Sequence, residues 1–268
     1  MSHPEDYEAL LQQSWEDFCD GLKAAGSVLV RDQAPKGPVD RAAAFRLLSR
    51  NIALALAFEL ENDDPQFPEL MHYFDPMRKQ GGDNTDALYV GAPINGSDTY
   101  RIRGSRGSAA FFAVTVVERG DTPWGGGVAG TLFAHELEVD ENGDFELFLG
   151  PEARPGNWIR TTPDTFRVTV RQFFSDWEGE EPMRARIDRL TGDDSPPTLT
   201  PQKVSQGLLR AAHWVEESIT YWADRIDLWK EQPNRFLSYR QLDKNPIDAT
   251  PGGEPLISYW QLPEDEAL

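Results

Sequence analysis

Apolar residues recur at helical spacing near the start of the chain. Tyr7, Leu10, Leu11, Trp15, Phe18 and Leu22 step by three or four, which predicts an amphipathic helix over residues 5–25 ended by Gly26. A second pattern, Ala44, Phe45, Leu48, Ile52, Ala55, Leu56 and Leu60, predicts a helix from about Asp40 to Leu60. The turn residues and two prolines of "ENDDPQFP" stop it. The two helices are expected to pack together and cover one side of the β-rich middle of the chain.

From Tyr89 the period changes to two. In "TYRIRG" Tyr100 and Ile102 share one face, and Arg101 and Arg103 share the other. "AAFFAVTVVE" is apolar enough for a strand buried on both faces. "GTLFAHELEVDENGDFELFLG" predicts a hairpin turning at Asn142-Gly143. In "TFRVTVRQFF", Phe166, Val168 and Val170 alternate with Arg167, Thr169 and Arg171. Strands that succeed one another without intervening helices predict an antiparallel sheet.

After "TGDDSPPTLTPQ", Thr200 is placed to cap a helix whose first turn holds Pro201. Val204, Leu208, Ala211, Val215, Ile219, Trp222, Ile226 and Trp229 carry that helix to about Lys230. The segments are a helical region over 1–64, an antiparallel β region over 65–192, and a long helix with an irregular tail over 193–268. The expected fold is α+β: a jelly-roll-like antiparallel β-sandwich flanked by an N-terminal helical pair and a long helix near the C-terminus.

Charge narrows the partners. The net charge is −19, from 45 acids and 26 bases. A surface this anionic repels nucleic acid and anionic membranes. The longest apolar run, "NIALALAFEL", is too short to cross a bilayer, and the acidic start has no signal-peptide pattern. A cytoplasmic protein is the default expectation. Cys19 is the one cysteine, so an intramolecular disulfide is impossible.

Three blocks carry a family likeness: "GGDNTDALY…TYRIRGSRG", "GNWIRTTPDTFRVTVRQFFSDWEGEEPMRARIDRL" and "YWQLPEDEAL". Asn157-Trp158, Arg171-Gln172 and Asp176-Trp177 occur in order within the middle block. The set resembles the bacterial proteins grouped as domain of unknown function 1214. The likeness implies a jelly-roll-like sandwich beside helices and names no reaction. Members of that group continue beyond the block similar to "LPEDEAL". This motivates an expected complementary β-rich partner, covalent or separate, and a homo-oligomer is the other partner expectation.

Candidate chemistry centres on arginines among strand residues, which must be paired or wet because a lone buried guanidinium is costly. Arg101, Arg103 and Arg171 form a candidate anion clamp, with pairing to the abundant acids as the plain alternative. Asn84, Asp86 and Tyr89 follow the Asn-x-Asp-x-x-Tyr pattern of the likeness. They are read either as ligand contacts, with Asp86 as a general base, or as a turn opening a strand. Trp158 joins the candidate apolar contacts, and His135 is the second candidate acid or base. His72 with Asp75, and His135 with its glutamate neighbours, make only a weak metal pattern. The pairs Asp63-Asp64 and Asp193-Asp194 read as solvated loops, and no cofactor is named by any motif. The expected function is binding, with or without turnover, of a small apolar molecule bearing an anionic group. The alternative is a non-catalytic interaction subunit.

Overall fold

The protein is described by a computed structural model covering residues 4–75, 77–78, 84–192, 195–238 and 256–263. Asp83, Asp193, Asp194 and most of the tail lie outside the described residues. Helix α1 spans Pro4–Val28 and α2 spans Pro38–Leu56, continued by a π-helical turn at Ala57–Glu61. Strands come next: β1 (Met71–Phe74), β2 (Ala87–Pro93), β3 (Tyr100–Ser105), β4 (Phe111–Glu118) and β5 (Gly127–Phe133). The series continues with β6 (Asp144–Gly150), β7 (Asn157–Arg160), β8 (Thr165–Phe173) and β9 (Arg184–Arg189). Helix α3 (Pro201–Lys230) and a short pair, β10 (Leu237–Ser238) with β11 (Leu256–Ile257), complete the order.

Two sheets stack in an α+β fold. One has the order β1-β2-β8-β4-β5 and the other β7-β6-β3-β9. All pairings within them are antiparallel except β6 with β7, which is parallel. Alternation along the strands makes the core between the sheets. Val90, Val114, Val116, Val168 and Val170 face Ile102, Leu147, Leu149 and Ile187. The other side of the five-stranded sheet meets the helices through Tyr73, Phe58 and Trp214. The result is three layers: four-stranded sheet, five-stranded sheet, helices.

Helix α3 begins as its sequence demands: the Thr200 side chain accepts a hydrogen bond from the Lys203 N–H at 3.2 Å. Its apolar stripe, including Leu208, Ala211, Val215 and Ile219, is buried. Helices α1 and α2 both pack on α3 rather than mainly on each other. The expected N-terminal helical pair is present, and its docking on α3 accounts for the outward positions. Trp15 is 56% exposed and Phe45 46% exposed, while Ser14 and Asn51 are buried against α3. Ser14 meets Ser205 at 2.6 Å, and Asn51 donates to Ser218 at 3.4 Å. Gly26 does not end α1, which runs on to Val28.

The expected hairpin is also corrected. Gly143 does adopt a left-handed turn, with φ of +82°. Yet β5 pairs with β4 in one sheet, and β6 pairs with β3 and β7 in the other. The chain between them crosses from sheet to sheet. Local alternation and an Asn-Gly turn specify strands and a reversal, but not sheet membership.

Candidate functional site

Strand β8 lies in the middle of the five-stranded sheet, and its alternation builds the site. Val168 and Val170 enter the inter-sheet core, which turns Arg167, Thr169 and Arg171 toward the helix layer. At one end of that face a pocket of about 350 Å³ opens between the sheet and the helices. Its size is at the lower end of small-ligand sites. The sheet supplies Gly91–Ile94 and Phe166–Arg167, and Arg119 comes directly after β4. The helix layer supplies Phe58, Glu59, Asn62, Asp63 and Arg210.

Two glycines allow this approach. A Cβ on Gly91 would lie 2.9 Å from the Tyr73 ring and 2.7 Å from the Val168 carbonyl oxygen. The bare backbone therefore lets Tyr73 rest on β2. A Cβ on Gly207 would lie 2.7 Å from Leu60 Cδ1 and 2.8 Å from the Glu59 carbonyl oxygen. Helix α3 comes close to the π-helical turn at this point. Nearly one turn later, Arg210 donates to Glu59 Oε2 at 3.0 Å, to the Glu59 carbonyl at 2.9 Å and to Asp63 Oδ2 at 2.6 Å.

Arg167 is the distinctive group. Its guanidinium lies 4.2 Å from the centroid of Phe58 and 5.1 Å from that of Phe166. Among the described residues no carboxylate lies within ion-pair distance of it and no acceptor bonds it. Burial pulls its pKa below the ordinary arginine value, opposed by Tyr73 and Glu59. The group remains a cation at any working pH. Arg119 at the rim lies 5.4 Å from the Phe166 centroid, also without an ion-pair partner among the described residues. Glu59 and Asp63 are already engaged by Arg210, and Lys203 adds a contact to Asp63 at 3.5 Å. Among the described residues the pocket wall thus keeps two cations without an ion-pair partner, in a chain of net charge −19.

The aromatic floor is held from behind. Phe58 makes edge contacts with Tyr73 at 5.6 Å and Trp214 at 5.8 Å. Trp214 donates its Nε1–H to the Pro123 carbonyl at 3.2 Å and meets Trp124 edge-on at 5.0 Å. The glycine-rich connection after β4 is therefore anchored to α3 by its tryptophan. Tyr73 is buried, its hydroxyl donates to Thr169 Oγ1 at 2.9 Å, and burial raises its pKa.

The residues singled out from sequence do not converge on one place. Arg101 and Arg103 lie on the face of the four-stranded sheet turned away from the core, because Tyr100 and Ile102 take the inward positions. Arg101 pairs with Glu146 at 3.3 Å and Asp188 at 3.4 Å, and Arg103 pairs with Asp188 at 3.2 Å. The acids of neighbouring strands thus compensate both, as the plain alternative had it. Trp158 belongs to the same sheet and donates Nε1–H to the Gly150 carbonyl at 3.2 Å. Asn84 Oδ1 accepts from the Asp86 N–H at 2.9 Å, an Asx-turn that leads into β2, and Asp86 is exposed. His135 is on an exposed turn after β5 rather than on a strand, its ring stacked 5.8 Å from Phe133. Phe133, Phe111 and Phe173 separate it from Tyr89. Tyr89 and Arg171 meet across neighbouring strands, with the guanidinium 5.3 Å over the ring. Among the described residues no group of three or more His, Cys, Asp or Glu is placed to hold a metal ion. Asp75 instead accepts from Met77, Arg78 and the Arg78 side chain.

Arg167, Arg119 and Phe58 were not singled out from sequence. The signal for Arg167 was the same alternation that marked Arg171. What lay opposite it came from residues far away in the chain.

These features define an α+β protein in which a helical layer roofs a cationic, aromatic-lined pocket on a two-sheet sandwich. The chain matches the family described as Protein of unknown function (DUF1214) over residues 84–176. A crystal structure of an uncharacterised protein from Burkholderia cenocepacia is similar at 34% identity, with a TM-score of 0.84. The match covers 91% of this chain and 69% of that one. The chain belongs to the DUF1214 family. A protein from Vibrio parahaemolyticus matches at 10% identity and a TM-score of 0.32, over 85% of this chain and 65% of that one. No curated protein matches. Among the described residues no helix is long and apolar enough to cross a membrane.

Proposed function

We propose that the protein binds a small organic acid, with its anionic head on Arg167 and its apolar body against Phe58, Phe166 and Pro93. The carrying observation is the Arg167 guanidinium, stacked on aromatic rings and left without a carboxylate. A cation so placed has its donors pointed at whatever enters the pocket. Arg119 at the rim supplies a second, solvent-exposed charge. This replaces Arg101 and Arg103 as the head-group clamp. The reading is one of binding; Asp86 and His135 belong to turns outside the pocket lining.

The test is a thermal-shift panel of aryl and alkyl carboxylates against their neutral amides. The reading expects acids to raise the transition temperature, amides to leave it in place, and Arg167→Gln to lower the difference markedly. Equal shifts from acids and amides, or an unchanged response in Arg167→Gln, would overturn it.

The second reading, an interaction subunit, draws on a different observation. The outer face of α1 and α2 exposes Val30 and Phe45 around a shallow apolar depression floored by Leu22 and Leu48. Such a patch favours association through helices, including with a second copy, over completion by a β-rich chain. Light scattering of the wild type and of Phe45→Lys separates the outcomes. A dimer that Phe45→Lys dissociates supports the reading, and a monomer at all concentrations ends it.

A further inference from the structure

We propose that a second acceptor site, independent of the Arg167 pocket, lies at Arg171 and takes the carboxylate of an organic acid carrying an apolar body. Arg171 faces the helix layer from the centre of the five-stranded sheet, opposite Tyr89 on β2 and Ala113 on β4. Its Nε and Nη1 are shut off from solvent and bond to nothing among the described residues. Three other arginines with a shielded Nε, Arg101, Arg103 and Arg106, are compensated. Arg101 and Arg103 have Asp188 beside them, and Arg106 donates to the carbonyls of Gly107 and Ala109. Arg171 has the Tyr89 ring beneath it, at 5.3 Å, and no ion-pair partner among the described residues.

The surroundings of the Tyr89 ring are aromatic. Tyr89 packs against Phe74 at 5.3 Å and Phe173 at 6.2 Å, and Phe74 packs against Trp124 at 5.6 Å. Trp124 Nε1–H is also buried without a partner. The two shielded N–H groups of the Arg171 guanidinium, Nε and Nη1, are the complement of an oxygen acceptor. One guanidinium beside neutral rings balances one negative charge. A monoanionic carboxylate therefore fits better than a doubly charged phosphate, which costs more to bring out of water. The surrounding rings suit an apolar or aromatic body.

The site is separate from the Arg167 pocket. Four residues of strand put the two arginine backbones about 13 Å apart. The Tyr73–Thr169 hydrogen bond lies between them on the same face. Arg167 lines the pocket and Arg171 does not.

The wild-type protein tests this directly. The Nε–H signals of Arg167 and Arg171, assigned through their bonded carbons by nuclear magnetic resonance, are monitored while sodium benzoate is added. Sodium chloride and benzamide serve as controls. The proposal expects a saturating shift of the Arg171 signal with benzoate alone, its fitted affinity weakened about tenfold or more by changing the probe to benzamide. An Arg171 signal that stays in place, or moves equally with chloride, overturns it. The Arg167 signal reports separately: its movement alone supports the pocket and refutes the second site, and movement of Arg171 alone does the reverse.

Discussion

Replacing Arg167 by Met gives the pocket's logic a sign that stability measurements can read. The change removes a charge that has no carboxylate partner and keeps an unbranched apolar stem over Phe58 and Phe166. Two cation–π contacts are lost, at about 0.5–1 kcal/mol each. Against this, an unpaired and partly desolvated guanidinium carries a penalty of roughly 2–3 kcal/mol, half of the several expected for full burial. The balance is a gain of about 1 kcal/mol for the unliganded protein. For a domain of this size that raises the melting temperature by about 2–4 °C. The assay is thermal and urea unfolding of both proteins, beside binding of an aryl carboxylate. A more stable variant that has lost the Arg167-dependent binding is the expected outcome. A loss of about 2 kcal/mol or more with binding retained would refute the reasoning, because Arg167 would then be a structural tie.

Three further changes test the framework. Trp214→Ala removes the ring that contacts both Phe58 and Trp124, and is expected to cost about 3–5 kcal/mol in urea unfolding. Gly207→Ala adds about 1 kcal/mol of helix propensity, but its Cβ meets Leu60 and the Glu59 carbonyl. Net destabilisation, with weaker ligand binding as α3 shifts, is the expected result, and a stabilised variant would contradict the close approach. Burial pushes the Asp227 carboxyl up, but bonds from Arg31 and Lys230 outweigh it and hold the pKa below the ordinary carboxylate value. Its contribution to stability is therefore present above about pH 4 and lost as pH falls through the lower native value. Asp227→Asn should flatten that acid limb in a series of urea midpoints against pH.

What was legible in the sequence had local causes. The Thr200 cap and the stripe from Val204 to Ile219 specify α3 within a few turns. The alternation in β8 placed Arg167, Thr169 and Arg171 on one face, as found. What was not legible depended on distant partners. The segment holding Asn142-Gly143 looked like a hairpin because strand period and turn chemistry are local, whereas the sheet each strand joins is not. Trp15 and Phe45 fit an apolar face, yet α3 takes Ser14 and Asn51 instead. Arg101 and Arg171 have the same strand pattern and different fates. Asp188, paired from β9, compensates the first, while Tyr89 and apolar neighbours leave the second without an acid. The pocket itself needed the π-helical turn to lie between the sheet and Gly207 of α3, which no single segment announces.

The central claim is that Arg167 receives the head group of an organic acid. A crystal structure of the protein soaked with the acid giving the largest thermal shift tests it most directly. The account predicts carboxylate oxygens about 2.7–2.9 Å from the Arg167 guanidinium nitrogens, with the body against Phe58 and Phe166. An acid bound elsewhere, with the pocket holding only water, would contradict it.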